Sequence, residues 1–375
     1  MNRDRRRILA GGLAACFLPR LAPARAEAPA RLPGAHLLGA RVASGRRFFA
    51  TAFDAEGEAA FDLPLPARGH GFAQRPGHAE AVACARRPGT WLAVIDTASG
   101  RIRHQVPNTG ERRFNGHGAF SADASLFFAT ETDHEAGQGV VGVYAADRSY
   151  APVAAWSSGG LDPHDLRLLP DGRTLVVANG GIVTDLAAPR MKLNTTGMDS
   201  NLTYLDAGTG RIQDTVRPPA ELRSLGLRHL SIAVDGSVCF AAQYEGPGID
   251  LVPLVGTHHP GERELRFFAA PAPEVRAMRQ YCGSAAIDHS GRVLGVSSPR
   301  GNRATFWDVT DGRILASAEI AHGCGIAWLA PGRFAVASGL GGVRDVEAAS
   351  GEGGMLGGAA AVAGRWDNHL LTLSA

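Results

Sequence analysis

The stretch His117-Gly118-Ala119-Phe120-Ser121 decides the fold, because it is one of seven copies of the same pattern. Each copy begins with a histidine or a cysteine and continues into small and apolar residues, as expected for the innermost strand of a repeated sheet. The copies begin at His70, His117, His164, His229, Cys282, Cys324 and His369. They follow one another at intervals of roughly 40 to 65 residues, and β-propeller blades are about 40 to 50 residues long in common repeat types. The sequence therefore predicts a seven-bladed β-propeller.

The strand pattern also predicts how the ring closes. Residues 36–43, 47–53 and 59–65 supply three strands for the first blade, whose fourth strand is missing. The last run, residues 369–373, has the form of an innermost strand but no blade of its own. We predict that this C-terminal run closes the first blade as its innermost strand, which removes exposed sheet edges. No stretch has helical periodicity of useful length, so the predicted fold class is all-β.

Repeated turns support this interpretation. Apolar strands end in an aspartate and run into a glycine turn, as at Asp206 before Gly210 and at Asp308 before Gly312. These are the residue types that hairpin turns require. Residues 180–200, in the fourth blade, form an unusually long connection between strands, and long ordered loops are often functional.

The first residues predict export rather than structure. Arg5-Arg6-Arg7 matches the twin-arginine pattern, an apolar stretch follows, and Ala24-Arg25-Ala26 offers a cleavage site. We therefore expect a signal peptide at residues 1–26, a linker at 27–35, and a single propeller domain at 36–375 in the periplasm. Cys16 also fits a lipoprotein cleavage site, although the residues after it favour cleavage behind Ala26.

Charge and hydropathy exclude several classes of protein. The chain has 375 residues, of which 45% are hydrophobic and 20% charged, and this is enough for a large core. Residues 1–26 carry six arginines and one aspartate, so their removal changes the net charge from +2 to about −3. A mildly acidic chain without a basic cluster is a poor nucleic-acid binder. No apolar run reaches the about 18 residues of a membrane span, and we expect a soluble monomer.

The seven residues that begin the inner strands are the candidate metal ligands, since the start of each inner strand faces the same end of the channel. The set comprises His70, His117, His164, His229, Cys282, Cys324 and His369. Imidazole and thiolate suit copper, zinc or iron, including haem iron. Asp165 and Asp367 would orient histidines from behind.

Two other interpretations stay open. Histidines that line a channel often bond only to the backbone or to water. The hypothesis of a purely structural polar ring is therefore somewhat favoured over that of a metal site, although five equivalent histidines are hard to attribute to chance. Cys282 and Cys324 occupy adjacent copies, so a disulfide between them is the other alternative. The acidic stretch from Glu131 to Glu135 has the residue types of a metal or general-base site, but a solvated acidic loop explains it better. No nucleophile elbow, phosphate loop or dinucleotide fingerprint has a supporting context.

Several longer stretches resemble a bacterial family described as a domain of unknown function. They include Leu161-Asp162-Pro163-His164-Asp165-Leu166, Leu227-Arg228-His229-Leu230 and Trp366-Asp367-Asn368-His369. The resemblance covers nearly all of the chain that follows the signal peptide. It implies a twin-arginine-exported, seven-bladed propeller encoded beside imelysin-type proteins and a di-haem peroxidase-like protein, and hence a part in iron acquisition. Family members usually have Thr-His-Pro-Asp where this chain has Thr184-Asp185-Leu186-Ala187.

These observations lead to three functional hypotheses. The first is a periplasmic accessory protein of iron acquisition that binds a metal, haem or a partner protein on the ringed face. Its partners would be the imelysin-type and di-haem peroxidase-like proteins. The second is a metal-dependent oxidoreductase that uses the same ring, and the third is an interaction scaffold. The fold alone does not choose among them, and no catalytic residue is predicted.

Overall fold

The computed structural model describes residues 36–189, 191–362 and 364–374. In this part of the chain, seven antiparallel four-stranded sheets are arranged in a ring. The prediction of an all-β, seven-bladed propeller is therefore confirmed. The predicted signal peptide at residues 1–26 and the linker at 27–35 lie outside the described residues.

Each blade uses four consecutive strands except the first, which takes its innermost strand from the C-terminus. Blade 1 contains β1 (Leu37–Ala43), β2 (Arg47–Phe53) and β3 (Ala59–Leu65). Blade 2 contains β4 (Gly69–Gln74), β5 (Glu80–Ala85), β6 (Trp91–Asp96) and β7 (Arg101–Pro107). Blade 3 contains β8 (Arg112–Phe120), β9 (Leu126–Asp133), β10 (Gln138–Ala145) and β11 (Ala151–Ser157). Blade 4 contains β12 (Pro163–Leu168), β13 (Thr174–Asn179), β14 (Asn201–Asp206) and β15 (Ile212–Val216). Blade 5 contains β16 (Leu225–Ile232), β17 (Val238–Tyr244), β18 (Val255–His258) and β19 (Arg266–Phe267). Blade 6 contains β20 (Ser284–Ile287), β21 (Val293–Ser298), β22 (Arg303–Asp308) and β23 (Ile314–Glu319). Blade 7 contains β24 (Gly323–Ala330), β25 (Arg333–Ser338), β26 (Val343–Glu347) and β27 (Gly353–Met355).

Two short helices lie between strands, α1 (Ala272–Ala277) and α2 (Ala359–Val362). No helix of the described chain is both long enough and apolar enough to cross a membrane.

Burial explains why the strands differ in composition. The second strand of a blade is covered on both faces by neighbouring blades, so β5 and β17 are continuous buried runs. The fourth strand faces solvent on one side, and β7 accordingly alternates exposed and partly buried residues along most of its length. This is the period-two pattern of a half-buried strand.

The repeated aspartate turns have the predicted chemistry. The Oδ1 atom of Asp96 accepts hydrogen bonds from the backbone N–H groups of Ala98 and Ser99, both at 2.9 Å. Asp206 makes the same bonds in blade 4. Gly100 follows with a φ of 62°, a left-handed conformation that glycine adopts without strain. The side chain of the aspartate therefore fixes each turn locally.

The ring closes by pairing of the two ends of the described chain. Strand β28 (Arg365–Thr372) lies antiparallel to β1, with Leu37 opposite Thr372 and Gly39 opposite Leu370. The predicted closure is confirmed, but the strand begins at Arg365 rather than at residue 369. Pairing resumes at Trp366 after a β-bulge, and the periodicity of residues 369–373 alone does not reveal this.

Trp366 is the side chain that anchors the closing strand. It is buried, its ring centroid lies 5.1 Å from that of Phe53, and it packs in one cluster with Leu37 and Leu370. Replacing Trp366 by Ala is expected to lower the free energy of unfolding by about 3–5 kcal/mol, because it leaves a large cavity at the seam. Denaturant unfolding followed by circular dichroism measures this change.

The matched control is Leu340→Ala, since Leu340 is 65% exposed. It should change the stability by less than about 0.5 kcal/mol. Equal unfolding midpoints for the two variants would show that the seam does not limit the stability of the ring.

Candidate metal centre

Local irregularities of the inner strands place five histidines in the channel. His70, His117, His164 and His229 lie at β-bulges in β4, β8, β12 and β16, and His369 lies at the bulge of β28. A bulge bends its strand and re-aims the side chains there. The five side chains therefore converge, although they belong to five different blades.

Glycines allow the closest approach between blades 2 and 3. A Cβ atom on Gly71 would lie 2.5 Å from the carbonyl oxygen of Gly116, so that only glycine fits beside the neighbouring strand. Gly116 has a φ of 108°, and a Cβ atom there would lie 2.6 Å from the ring of His70. These two glycines let the rings of His70 and His117 approach to a centroid separation of 5.1 Å.

The five imidazoles form one contiguous cluster. Neighbouring ring centroids are separated by 4.5 Å for His70 and His369, and by 4.5 Å for His117 and His369. The rings of His164 and His229 are 4.8 Å apart, and those of His117 and His164 are 5.3 Å apart. All five residues are buried, with between 2% and 8% of their surface exposed.

Two groups of three histidines within this cluster bring their ring nitrogens together. We call His70, His117 and His369 the first triad, and His117, His164 and His229 the second triad. In each triad one nitrogen of every residue lies within 4.8 Å of the others. His117 belongs to both triads and is therefore the centre of the cluster.

Neighbouring groups orient the first triad. The Nδ1 atom of His70 lies 2.8 Å from Oδ1 of Asp367, that of His369 lies 3.1 Å from Oγ of Ser284, and that of His117 lies 3.4 Å from Oδ1 of Asp165. A carboxylate can only accept, so Nδ1 of His70 carries the proton and its Nε2 atom keeps a lone pair. These contacts agree with the expectation that Asp165 and Asp367 orient histidines.

Both aspartates are themselves held in place. Asp165 accepts backbone N–H bonds from Leu166 at 2.8 Å and Leu230 at 2.9 Å, and it pairs with Arg167 at 3.2 Å. Asp367 pairs with Arg68 and lies 3.7 Å from Arg86. The orientation of His70 and His117 therefore rests on carboxylates that are themselves held by hydrogen bonds or ion pairs.

Six ring nitrogens of the cluster have no hydrogen-bond partner among the described protein atoms. They are Nε2 of His117 and His369 and both nitrogens of His164 and His229. A buried polar group without a partner costs about 1–3 kcal/mol. A ligand bound among these six nitrogen atoms would supply the partners that they lack.

Burial keeps these imidazoles neutral. It lowers the pKa of His164 and of His229 well below the ordinary value, and the cationic forms of neighbouring histidines and Arg228 lower it further. Burial, and then the cationic forms of neighbouring histidines and Arg167, lower the pKa of His117 and His369 in the same direction. For His70 burial again lowers the pKa, although its hydrogen bond to Asp367 opposes the shift. A neutral imidazole is the form that binds metal.

The two cysteines of the predicted ring do not join the cluster. Cys282 and Cys324 are fully buried, and burial raises the pKa of each thiol to about 12. The Sγ atom of Cys324 donates to the carbonyl oxygen of Asp367 at 3.3 Å. Every described cysteine is a free thiol, so the alternative Cys282–Cys324 disulfide is not formed.

The sixth blade shows why the sequence misplaces Cys282. Its inner strand β20 begins at Ser284, and Ser284 rather than Cys282 reaches the imidazoles by its contact with His369. Cys282 stands six residues before the turn aspartate Asp288, just as His229 stands six residues before Asp235. The spacing therefore carried no signal that would have identified Ser284.

Two further buried polar residues, Glu131 and Asn179, have structural roles. Glu131 is buried and bonds to the hydroxyl of Tyr144, which corrects the expectation that it belongs to a solvated loop. Asn179 is also buried and donates to the carbonyl oxygen of Ser158 at 2.8 Å. Neither side chain belongs to the imidazole cluster.

Cavities lie on both sides of the cluster. The channel cavity, of about 510 Å³, is bordered by His117, His369, Arg167 and Ser284. The loop-side cavity, of about 560 Å³, lies among the loops that connect second and third strands and the segments before the inner strands. Basic side chains from distant parts of the sequence line it, and no run of basic residues in the sequence marks it out as one site.

A family model described as "Protein of unknown function (DUF1513)" matches residues 63–373. The chain belongs to this family. The resemblance to a bacterial family of unknown function is thereby confirmed, and all five clustered histidines lie within the DUF1513 match.

A search of curated proteins gives no match. Among solved structures, the chain is similar to hydrazine synthase of Kuenenia stuttgartiensis, with a TM-score of 0.60 and 13% sequence identity. The alignment covers 84% of this chain and 96% of that chain. At this level of identity the likeness concerns the fold alone.

The buried imidazoles make the stability of the metal-free protein depend on pH. Below the ordinary histidine pKa of 6.5, the unfolded chain binds protons that the native imidazoles do not, so the free energy of unfolding falls as the pH decreases. Each such histidine contributes a slope of up to about 1.4 kcal/mol per pH unit. We expect His164→Gln to reduce the loss of stability between pH 7 and pH 5.

Denaturant unfolding at several pH values, with chelator present, measures this slope. Burial raises the pKa of Asp165, which gives the stability an opposite dependence on pH. This contribution is the same in the variant and in the unmodified protein, so it cancels when the two slopes are compared. The control His78→Gln replaces an exposed histidine and should retain the original slope. Equal slopes for His164→Gln and the unmodified protein would contradict a neutral, buried imidazole at residue 164.

Proposed function

We propose that this protein is a periplasmic accessory protein of iron acquisition that binds a transition-metal ion through its imidazole cluster. The observation that carries the proposal is the convergence of five buried histidines, four of which have ring nitrogens without protein partners. The location in the periplasm rests on the export pattern of residues 1–26. The link to iron, and to imelysin-type and di-haem peroxidase-like partners, rests on the family resemblance.

The geometry of the first triad fits a metal ion. Nitrogen ligands lie about 2.0–2.1 Å from a bound ion, so two of them are at most about 4.2 Å apart. The candidate ligand atoms of each triad lie within 4.8 Å of one another, so a bound ion would require ring rotations that bring these atoms slightly closer together. The carboxylates at Nδ1 leave Nε2 as the ligand atom of His70 and His117, as the hydrogen-bond partners of metal-binding histidines do in known sites.

The donor set narrows the choice of ion. Without the two thiols the ligands are neutral imidazoles, which suit copper, zinc, iron and nickel. Affinity for divalent ions generally increases from iron to copper, so copper is expected to bind most tightly. Haem fits less well, because rings with centroids 4.5–5.3 Å apart leave no gap for a macrocycle among them.

A bound ion would supply Lewis acidity or one-electron chemistry at the centre of the channel. The protein's own residues would hold it: imidazoles as ligands, Asp165 and Asp367 as orienting groups, and buried walls that limit access by water. An oxidoreductase would need the same site, and turnover of a redox substrate distinguishes it from a carrier. A scaffold would need no metal.

The first test measures metal content and the absorption spectrum of protein exported by its own signal and purified without chelators or a histidine tag. Copper(II), zinc(II) and iron(II) are then added separately to chelator-treated protein. We expect one ion or more per chain for at least one metal. Loss of that binding is expected in His117→Ala, because His117 belongs to both triads.

The matched control is His258→Gln. His258 is also buried, but it bonds to the hydroxyl of Tyr204 at 2.6 Å, outside the cluster. This variant and Cys282→Ala should keep the metal content of the unmodified protein. A folded His117→Ala/His164→Ala/His229→Ala variant with unchanged metal content would exclude the cluster as the site, and a chain that takes up no metal would favour a scaffold.

A second prediction concerns Asp367. Replacement by Asn is expected to reduce metal affinity by about 10- to 100-fold, because His70 loses the carboxylate that fixes its tautomer. Chelator competition measures the affinity, and the copper(II) electron paramagnetic resonance spectrum reports on the ligand field. Asp345→Asn, at an ion pair between β25 and β26, serves as control. If affinity and spectrum both stay the same in Asp367→Asn, that residue does not position a ligand.

A further inference from the structure

The loop-side cavity has an unusual concentration of positive charge. Its lining includes Arg68, Arg86, Arg87, Lys192 and Arg300, and no aspartate or glutamate is among the described residues that line it. The five cations come from separate places: the segment before β4, the loop after β5, the 180–200 insertion, and the loop after β21. The closed ring is what brings them together.

The carboxylates nearby are too few to neutralise these cations. Arg68 and Arg86 share Asp367, Arg87 pairs with Asp162, and Lys192 pairs with Glu245. Asp162 is in turn shared with Arg228, which is buried and has its Nε and Nη2 atoms without a partner among the described protein atoms. Five cations therefore draw on three carboxylates, of which Asp367 also holds His70.

Arg300 differs from the other four. None of the described carboxylates forms an ion pair with it, and its guanidinium instead lies 4.2 Å from the ring centroid of Tyr281. Stacking on an aromatic ring fixes the plane of a guanidinium while leaving its N–H donors free. Arg300 is thus held in a defined orientation beside the cavity with its charge uncompensated.

Repulsion among the cations lowers the pKa of two of them. Burial lowers the pKa of Arg86, and the charges of Arg68 and Arg87 lower it further despite Asp367. Burial and the charges of Arg228 and Arg300 lower the pKa of Lys192 despite Glu245. An anion in the cavity would remove this repulsion.

We infer that the loop-side cavity binds a small polyvalent oxyanion, one that carries several carboxylate or phosphate groups. Guanidinium groups bind both kinds of oxyanion through paired N–H donors. A volume of about 560 Å³ is in the range of small-molecule sites and exceeds the needs of a single oxyanion. The spread of the cations around the cavity favours a ligand with charge at more than one point.

Calorimetric titration of the exported, chelator-treated protein with citrate and with pyrophosphate tests this inference. We expect one binding event per chain for at least one of the two, and a lower affinity in 0.5 M salt because exposed charges are screened. Tighter binding of citrate identifies the ligand class as polycarboxylates, and tighter binding of pyrophosphate identifies it as phosphate compounds. Binding of neither overturns the inference.

Charge-removing variants locate the site. Arg86→Gln and Arg300→Gln are each expected to weaken binding by at least about tenfold, as loss of a charge-assisted hydrogen bond does. Arg300→Gln breaks no ion pair of the described residues, so it provides the test if Arg86→Gln fails to fold. The control Arg313→Gln lies in the turn between β22 and β23 at the other end of its blade, and it should bind like the unmodified protein.

The cavity and the imidazole cluster are tested separately. His117→Ala should bind the anion normally, because His117 does not line the loop-side cavity. Anion binding that survives in Arg86→Gln/Arg300→Gln but disappears in His117→Ala would place the ligand at the imidazoles and overturn the inference. A chain that binds the anion but no metal would leave this inference standing and remove the proposed metal site.

Discussion

The pairing of β28 with β1 is the interaction on which the rest of the molecule depends. It joins residues more than 300 positions apart and supplies the innermost strand of the first blade. The same strand carries Asp367 and His369, so closure of the ring also completes the first triad of histidines. Asp367 holds Arg68 and Arg86 as well. The first triad, and the ion pairs that Asp367 makes in the basic wall of the loop-side cavity, therefore form only when β28 has paired with β1.

The cluster stands out because its arrangement is costly to the fold. Apolar side chains at the same positions would pack without any demand for hydrogen bonds, whereas imidazoles at 2–8% exposure leave six nitrogens without protein partners. A buried histidine can meet this demand by bonding to a neighbour, as His258 does with Tyr204. His164 and His229 have no such neighbour in the described protein. That contrast within one chain separates the cluster from ordinary buried histidines.

Much of the fold could be predicted from the sequence, since its signals are local. The bounds of β2 and β3 follow from apolar runs between turn residues, and the hairpin turns follow from an aspartate that bonds to the next backbone amides. The convergence of five histidines follows from their place at the start of inner strands. The directions of the Cys282 and Cys324 side chains do not follow from the sequence, because β-bulges and the late start of β20 determine them. The basic cavity was missed because its residues meet only through the ring.

Asp367 connects the two candidate sites electrostatically. On one side its Oδ1 atom holds Nδ1 of His70 at 2.8 Å, and on the other side it pairs with Arg68 and lies near Arg86. Burial would raise the pKa of this carboxyl, yet the hydrogen bond from His70 and the two arginines hold it below its usual range. The arginines also lower the pKa of His70, whereas Asp367 raises it. A negative charge bound beside these arginines would therefore act on His70 as well, because both arginines share a carboxylate with it.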